Sequence, residues 1–320
     1  MSTNTAPFTV QPKLTQIAMA IKPTGMIADM VCPRVPVPAE KFIYTKMATD
    51  EAFTIPDTRV GRTGAPNTVE FGGTDVTDST EDYGLDDPVP NKDIKNAVGT
   101  NYDPLAAAAE RVALLVQLAR EKRVADLYFT LGNYLASLRT TLSGTSQWSD
   151  YANSDPISAM LTQFDSMLIR PNVGIFGRAT WTKLRMHPKV VAAVLNKTGG
   201  LGGASAAGVI QRQAVADLLE LDEIYIGESF YNAAKKGQTA GYSRLWGKHA
   251  AFARIDKAVR DPRAGLPTFA FTAQWGDPVG GTIADANIGL DGGQKVRVGE
   301  HVKELIAFQE VGCFFQNAVA

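Results

Sequence analysis

The feature that most constrains this chain is a hydrophilic stretch followed by one very long helical pattern. Residues 56–91 are rich in Gly, Pro, Asp and Thr, whereas the run from Asp103 to Leu142 contains no proline after Pro104 and a single glycine, Gly132. Asp103 is a favourable N-cap, and proline is tolerated at the first helical position. At 1.5 Å per residue the predicted helix would be about 60 Å long, whereas helices average about 11–12 residues. A long, rigid helix beside an extended segment predicts a region that contacts other copies of the chain.

The composition argues against several classes of function. The 320 residues contain 32 Lys and Arg against 33 Asp and Glu, and a formal net charge of -1 is unusual for a dedicated nucleic-acid binder. The two cysteines, Cys32 and Cys313, are far apart and predict buried free thiols rather than a disulfide framework. The first residues show no secretory signal, and no window approaches about 18 consecutive apolar residues. We therefore expect a soluble, intracellular chain without a membrane span.

Two extended regions precede the helical pattern. Residues 1–40 hold six prolines and predict an N-terminal arm with one short helix around Leu14–Ile21. Residues 41–97 begin with a half-buried strand pattern at Lys41–Met47, and eight acidic residues against one basic follow between Glu70 and Asp93. We expect an extended hairpin that projects and is ordered by contact. The alternative is a disordered acidic linker.

The rest of the chain alternates between helical and strand patterns, which predicts a mixed α/β layer over residues 155–260. Its predicted elements are a helix at 156–168, a strand at 172–177, a helix at 179–195 broken at Pro188, a flexible glycine-rich loop at 199–208, a helix at 209–221, and strands at 223–227 and 243–247. The last sixty residues are predicted as strands at 268–275, 295–302 and 304–317, around a glycine-rich turn region at 276–293.

No catalytic constellation is complete in the sequence. The three histidines, His187, His249 and His301, have no second ligand at metal-binding spacing, so neither a metal nor a cofactor is predicted. The glycine run 199–208 lacks the Gly-Lys-Ser/Thr of a phosphate loop. Ser229 follows Gly227 but lacks the second glycine of a nucleophile elbow. We therefore predict that the protein is not an enzyme.

The order of these segments resembles the major capsid protein of tailed bacteriophages. An arm, an acidic hairpin, a long spine helix, an α/β block and a strand-rich return follow one another over nearly the whole chain. The resemblance is one of arrangement rather than of an invariant signature. The local stretch that looks most like the axial domain of such shell proteins consists of Ile169-Arg-Pro-Asn-Val-Gly-Ile-Phe-Gly177, Trp181-Thr-Lys-Leu184, His187-Pro188, Leu218–Gly227, Ser229-Phe-Tyr-Asn232 and Leu245-Trp-Gly247.

The resemblance implies an α+β fold of the tailed-phage capsid type. It implies an N-terminal arm (1–40), an extended loop (41–97), a peripheral domain with the spine helix (98–150), a mixed α/β axial domain (151–265), and C-terminal strands that return to both domains (266–320). It further implies self-assembly into hexamers and pentamers of an icosahedral virion head enclosing double-stranded DNA, contacted non-specifically. Portal and scaffolding proteins and a decoration protein are the other implied partners, and no membrane is involved. Because no N-terminal scaffolding segment is visible, a separate scaffolding protein or none is expected.

Charged residues of the loop and the helix are the candidate contacts between subunits. They are Arg59, Arg62, Asp75, Asp78, Glu81, Asp82, Arg120, Lys122 and Arg123. We hypothesise that the acidic residues face the basic ones on an adjacent spine helix, and a solvated helix face is the alternative for the basic cluster. Exposed pairs contribute about 0.2–1 kcal/mol each, so only repetition makes them matter.

Three other functions are alternatives, of which a tail-tube or other virion protein is mostly β and would not need the helix at 103–142. An encapsulin-type compartment shell has the same fold. A soluble α/β enzyme would instead predict a small oligomer and a pocket with titratable groups.

Overall fold

The computed structural model describes residues 9–20, 25–47, 53–69, 73–197, 208–235, 237–259, 261–262 and 267–320. In these ranges the α-helices are α1 (Pro12–Ala20), α2 (Ala28–Val31), α3 (Asn91–Asn96), α4 (Pro104–Tyr128), α5 (Pro156–Asp165), α6 (Arg178–Leu184), α7 (Pro188–Lys197) and α8 (Arg212–Leu219). The strands are β1 (Thr9–Val10), β2 (Arg34–Val37), β3 (Lys41–Met47), β4 (Gly73–Ser79), β5 (Glu81–Pro90), β6 (Arg139–Thr141), β7 (Val173–Gly177), β8 (Glu223–Gly227), β9 (Phe230–Asn232), β10 (Tyr242–Arg244), β11 (Ala250–Ala253), β12 (Ala270–Trp275), β13 (Val279–Asp285), β14 (Gly293–Ile306) and β15 (Gly312–Gln316).

The spine helix is α4, and it is shorter than its sequence pattern predicts. The Asp103 carboxylate accepts the first free backbone N–H groups, as expected for an N-cap. The helix has 25 residues and a length of about 38 Å, so the prediction of one helix to residue 142 was wrong. Beyond Tyr128 the chain forms two short 3₁₀ turns and then β6.

Side chains rather than a helix breaker end the spine helix. The Thr130 hydroxyl donates to the Asp126 carbonyl at 2.6 Å, and the Asn133 amide donates to the Leu127 carbonyl at 2.6 Å. These bonds satisfy carbonyl groups that would otherwise be free at the helix end. The following leucines keep a spacing of three to four residues and pack on the cores, so their pattern imitates a continuing helix.

A six-stranded sheet supports the spine helix. Its order is β1-β13-β14-β12-β2, and β5 also pairs with β14. The strand β14 is 14 residues long, so it pairs with β5 and β13 along its first part and with β12 along its second. The helices α1 and α4 pack on this sheet through a core of alanines, valines and Leu14.

Two sequence expectations are corrected in this sheet. The region 276–293 was predicted as a turn, yet it contains β13. Its Gly280 allows close approach of α1, because a Cβ there would lie 2.8 Å from the Thr15 nitrogen. The acidic segment Glu81–Pro90 was predicted to project, but as β5 it is hydrogen-bonded to β14 within the subunit.

A five-stranded sheet forms the second layer, in the order β6-β15-β11-β7-β8. Every residue of β7 and β11 is buried. The strand predicted at 172–177 is β7, whereas β11 was not predicted. The helices α5 to α8 cover this sheet through the second large core, which includes Trp148, Phe164 and Trp181. The predicted alternation of helices and strands is therefore confirmed here. The predicted flexible loop at 199–208 lies almost entirely outside the described residues.

The strands β3 and β4 form a separate antiparallel hairpin. Its register runs from Lys41 opposite Ser79 to Met47 opposite Gly73, and it is closed at its base by the Thr80 N–H, which donates to the Glu40 carbonyl at 2.9 Å. The predicted extended hairpin is confirmed for these strands. Residues 53–69 belong to its distal part, which we call the hairpin tip.

At one glycine, the end of β7 closely approaches the segment that precedes β11. Gly177 ends β7 and immediately precedes α6. A Cβ at Gly177 would lie 1.9 Å from the Trp246 carbonyl oxygen and 2.1 Å from the Gly247 carbonyl oxygen. Both neighbours are backbone atoms beside a buried tryptophan, so they cannot move without disturbing the core.

We expect Gly177→Ala to lower the free energy of unfolding by more than about 2 kcal/mol, because the added methyl overpacks this contact. Urea unfolding of purified subunits measures the change. Gly132→Ala is the matched control, since nothing lies within 4 Å of a Cβ at Gly132 and its effect should stay within about 0.5 kcal/mol. Equal midpoints for the two variants would contradict the expectation.

Candidate functional site

The basic cluster of the spine helix is partnered inside its own subunit. Arg120 is only 3% exposed, forms an ion pair with Asp29, and donates to the Cys32 carbonyl at 3.2 Å and to Thr272 Oγ1 at 3.1 Å. Arg123 pairs with Glu304 at 2.9 Å. The hypothesis that these arginines face acidic residues of an adjacent subunit is therefore corrected for Arg120, whose side chain lies in the interior.

A balanced set of charges surrounds these two arginines. Arg34 Nη1 lies 2.8 Å from Glu300 Oε2, and Arg34 Nε lies 3.0 Å from Asp29 Oδ1. Three guanidinium groups, one from the arm and two from the spine helix, thus meet three carboxylates, one from the arm and two from β14. Removing one member would leave an uncompensated charge in a poorly solvated place, so the cluster acts as a unit.

Glu121 is the second polar centre of the spine helix and is 1% exposed. Its carboxylate accepts the backbone N–H groups of Ile27 and Ala28, each at 2.8 Å, and the Trp246 indole N–H at 2.5 Å. Burial raises the pKa of Glu121 above its ordinary value, although these three donors favour its ionised form. One side chain thereby fastens the arm and the segment before β11 to the spine helix.

Sequence reasoning missed Glu121 and the interior position of Arg120. The available signal was their helical phase: Val116, Arg120 and Val124 are spaced by four residues and lie on one buried face. Charged residues that continue an apolar stripe predict buried partners, whereas we had interpreted the cluster as a solvated face or a contact between subunits.

The predicted acidic contacts divide into two groups. Glu81 forms an ion pair with Lys303, and the Asp82 carboxylate is hydrogen-bonded to His301 Nδ1, each at 2.5 Å, because β5 lies beside β14. Asp75 and Asp78 lie on the hairpin strand β4. The Asp75 carboxylate accepts a hydrogen bond from Thr45 Oγ1 at 2.8 Å.

The predicted basic contacts on the surface are Lys122, Arg59 and Arg62. Lys122 forms an ion pair with Asp126 one turn further along the spine helix. Arg59 and Arg62 lie on the hairpin tip, and neither forms an ion pair with any described residue. The structure therefore leaves the basic groups of the tip accessible.

The hairpin tip has local order but no core. Gly64 N–H donates to the Gly61 carbonyl at 3.0 Å, and the Asn67 amide donates to the Asp57 carbonyl at 2.8 Å. Every residue from 53 to 69 is nevertheless exposed. The exposed set includes four large apolar side chains: Phe53, Ile55, Val60 and Val69. An extended segment of this kind resembles an interaction surface.

One Ser–His pair deserves comparison with a catalytic dyad. Ser154 Oγ lies 3.0 Å from His187 Nε2, and His187 Nδ1 accepts the Lys189 backbone N–H at 3.2 Å. Burial lowers the pKa of His187, so the ring is neutral near pH 7. Since Nδ1 accepts, the neutral ring carries its proton on Nε2 and donates it to the serine. That direction is opposite to the one a general base needs.

Neither the two cysteines nor the described carboxylates are arranged as a reactive or metal-binding site. Cys32 and Cys313 are both buried and unpaired, which confirms the expectation from the sequence. Within the described ranges, no three His, Cys, Asp or Glu side chains are grouped to hold a metal ion. No helix in those ranges is both long and apolar enough to span a bilayer.

Solved structures with this arrangement include phage proteins and an encapsulin. A phage-related protein from Bordetella bronchiseptica matches with a TM-score of 0.73 and 20% identity, over 97% of this chain and 98% of that chain. The capsid structure of cyanophage P-SCSP1u matches with a TM-score of 0.55 and 9% identity, over 93% of this chain and 89% of that chain. No model of a known protein family matches the chain. The spine helix, the two sheets and the hairpin are thus the fold of a phage shell protein.

Sequence comparison identifies the family itself. The major capsid protein of Pseudomonas phage JBD67 is 50% identical over 315 residues, which cover 98% of this chain and 99% of that protein. The chain belongs to the phage major capsid proteins. It is a structural subunit of the virion capsid that assembles with its own copies into a shell, and the α+β capsid fold expected from the sequence is confirmed. The encapsulin and soluble-enzyme alternatives are not favoured.

We expect Glu121→Ala to lower the free energy of unfolding by about 3–5 kcal/mol, because three buried donors lose their acceptor at once. Urea unfolding of purified subunits measures this loss. Glu110→Ala, at an exposed position of the same helix, is the control and should change the value by less than about 0.5 kcal/mol. A small effect at Glu121 would show that Glu121 does not fasten the arm to the helix.

We also expect Asp29→Asn to weaken the acid sensitivity of the subunit. Burial by itself raises the pKa of Asp29, but the Arg120 and Arg34 guanidiniums outweigh it and hold the pKa below 3.8. A lowered pKa contributes stability that is present above 3.8 and lost as the pH falls through the folded-state value. Urea midpoints between about pH 5 and pH 2 should therefore fall less steeply in the variant than in wild type. Asp126→Asn is the exposed control, and parallel curves for wild type and Asp29→Asn would contradict this role.

Proposed function

We propose that the chain forms the hexamers and pentamers of an icosahedral virion head that encloses double-stranded DNA, and that its role involves no catalytic step. Membership in the major capsid proteins supports this proposal, and so does the absence of a competent catalytic group at Ser154 and His187. The segments 1–40, 41–97, 98–150, 151–265 and 266–320 then serve as arm, extended loop, peripheral domain, axial domain and returning strands.

The observation that carries the proposal is the hairpin tip. Its 17 residues are all exposed in the subunit, and Ile55 is 94% exposed. A segment that buries none of its own apolar side chains gains stability only when another surface covers it. A neighbouring copy of the same chain supplies that surface at every position of a symmetric shell. The hairpin therefore acts as a reaching element that overlaps an adjacent subunit.

The charged candidates that remain accessible accompany this overlap. Arg59 and Arg62 on the tip, Asp75 and Asp78 on β4, and Lys122 on the spine helix are proposed as contacts between subunits. Glu81, Asp82, Arg120 and Arg123 instead hold the subunit itself together. Each exposed pair contributes about 0.2–1 kcal/mol, so the apolar tip supplies the larger share of the contact energy.

The other partners follow from the same role. Packaged DNA would meet the inner wall without sequence preference, and a net charge of -1 favours weak rather than tight contact with phosphates. Portal and scaffolding proteins, together with a decoration protein, are the further partners that the capsid role implies.

We expect a variant with residues 53–69 replaced by a short Gly-Ser linker to fold but not to form shells. A second variant keeps the length and carries Ser at Phe53, Ile55, Val60 and Val69, and it should also assemble poorly. Sedimentation and negative-stain electron microscopy measure assembly, and urea unfolding verifies the subunit. Leu290→Ser is the control, because Leu290 is fully exposed elsewhere on the surface. Closed shells at wild-type yield from both tip variants would refute the proposal.

A further inference from the structure

A groove lies on the side of the spine helix that faces α1 and the turn from β12 to β13. Ala113, Val116 and Gln117 of the helix form part of its lining, and its volume is about 400 Å³. That volume is within the range of sites that bind small molecules. Met19, which also lines the groove, is 51% exposed. A small ligand can therefore enter from solvent while the subunit stays folded.

The groove and the charge cluster behind it together hold more carboxylates than guanidiniums. The carboxylates are those of Asp29, Asp277, Glu300 and Glu304, and the guanidiniums are those of Arg34, Arg120 and Arg123. All of these groups except Asp277 belong to the balanced set of ion pairs described above. Asp277 is exposed and forms no ion pair with any residue of the described ranges. The negative excess therefore lies at the rim of the groove.

Glu300 is the buried acid of the groove and is only 6% exposed. Its Oε2 accepts a hydrogen bond from Arg34 Nη1 at 2.8 Å. Its Oε1 has no hydrogen-bond partner among the described residues, and Arg123 Nη2 lies 3.6 Å from it. A buried carboxylate oxygen without a donor is costly, because it has lost water and gained nothing in exchange. The interior of the groove therefore favours an entering N–H group, above all a charged one.

Apolar side chains form much of the remaining lining. They include Met19 of α1, Val116 of the spine helix and Val298 of β14. Methylene groups of a ligand gain free energy when such a surface removes them from water, and a flexible thioether adapts to their shape. A buried acid, an acid at the rim and an apolar lining together match a linear molecule with an ammonium group at each end.

A divalent metal ion is the competing cation for this groove. Such an ion takes about six oxygen ligands, and the available oxygens are already engaged. Asp29 Oδ1 is paired with Arg34 and Arg120, and Glu300 Oε2 is paired with Arg34. Within the described part of the chain, no three His, Cys, Asp or Glu side chains are grouped to hold a metal ion. An ammonium group needs fewer acceptors, so the single free oxygen of Glu300 suits it better.

We propose that this groove binds a linear aliphatic diamine. One ammonium group would donate to Glu300 Oε1, the methylene chain would lie against Met19 and Val116, and the second ammonium group would pair with Asp277. Because such a ligand contacts α1, the spine helix and the sheet at once, its binding stabilises the packing of the arm on the subunit body. The site lies within a single subunit, so the inference does not depend on how subunits contact one another.

Calorimetric titration of purified subunits with diaminobutane, diaminopentane and diaminohexane tests the site. We expect saturable binding that is tightest for one chain length, because the two acids lie at a fixed separation. Butylamine has a comparable apolar chain but a single ammonium group, so it should bind about two- to five-fold more weakly than the best diamine, as the loss of one exposed ion pair predicts. Absence of saturable binding, or equal affinity for butylamine, would overturn the inference.

Carboxamide variants locate the binding within the groove. Asp277→Asn should weaken the best diamine about two- to five-fold and leave butylamine unchanged. Glu300→Gln should abolish the binding of both amines. Circular dichroism verifies that this variant folds, and if it does not fold, Asp277→Asn alone decides. Asp222→Asn removes an exposed carboxylate beside β8 of the other sheet and is the matched control, which should bind like wild type.

The thermal unfolding midpoint provides a second readout, since a ligand that binds only the folded subunit raises it with concentration. The best diamine should raise the midpoint of wild type and of Asp222→Asn more than that of Asp277→Asn. Equal affinities and equal midpoint shifts for Asp277→Asn and wild type would overturn the inference.

Discussion

The buried carboxylate of Glu121 and the neighbouring guanidinium of Arg120 are the constraint on which the subunit body depends. Both lie on the inward face of the spine helix, where a charged group is tolerated only with a full set of partners. Those partners come from separate parts of the chain: the backbone of the arm at Ile27 and Ala28, the indole of Trp246, and Thr272 of β12. A helix placed in any other register would leave these groups unsatisfied, so the polar centre positions the arm, both sheets and the helix relative to one another.

The hairpin differs from the subunit body in the exposure of its apolar side chains. The body buries three apolar cores, whereas the hairpin tip buries nothing and carries large apolar side chains in solvent. A shell subunit needs this difference, since the body must keep its shape while the reaching element adapts to a neighbour. The buried polar groups of the body find their partners within the chain. The exposed apolar side chains of the hairpin tip take theirs from other copies.

Local chemistry explains which elements could be predicted. The Asp-Pro pairs at 103–104 and 155–156 begin α4 and α5, and the alternation at Lys41–Met47 forms β3. The end of the spine helix could not be predicted, because Thr130 and Asn133 cap it where no proline or glycine marks a break. The glycines of β13 imitate a turn in the sequence, whereas Gly280 allows the close approach of α1. In each missed case a contact between distant segments decides the conformation.

The sequence by itself determined the α+β class, the arm, the hairpin, the spine helix and the resemblance to phage capsid proteins, because capping residues, periodicity and segment order are local properties. Only the tertiary structure decided which charges are paired within the subunit. Arg120, Arg123 and Glu81 are of the same residue types as exposed contact residues, yet each forms an ion pair with a partner of its own chain, up to 222 residues away. Arg59 and Arg62 form no ion pair with any residue of the described ranges. The physical reason is that residue type sets the charge of a side chain. Whether that side chain is free to contact another subunit depends on which distant side chains the fold brings beside it.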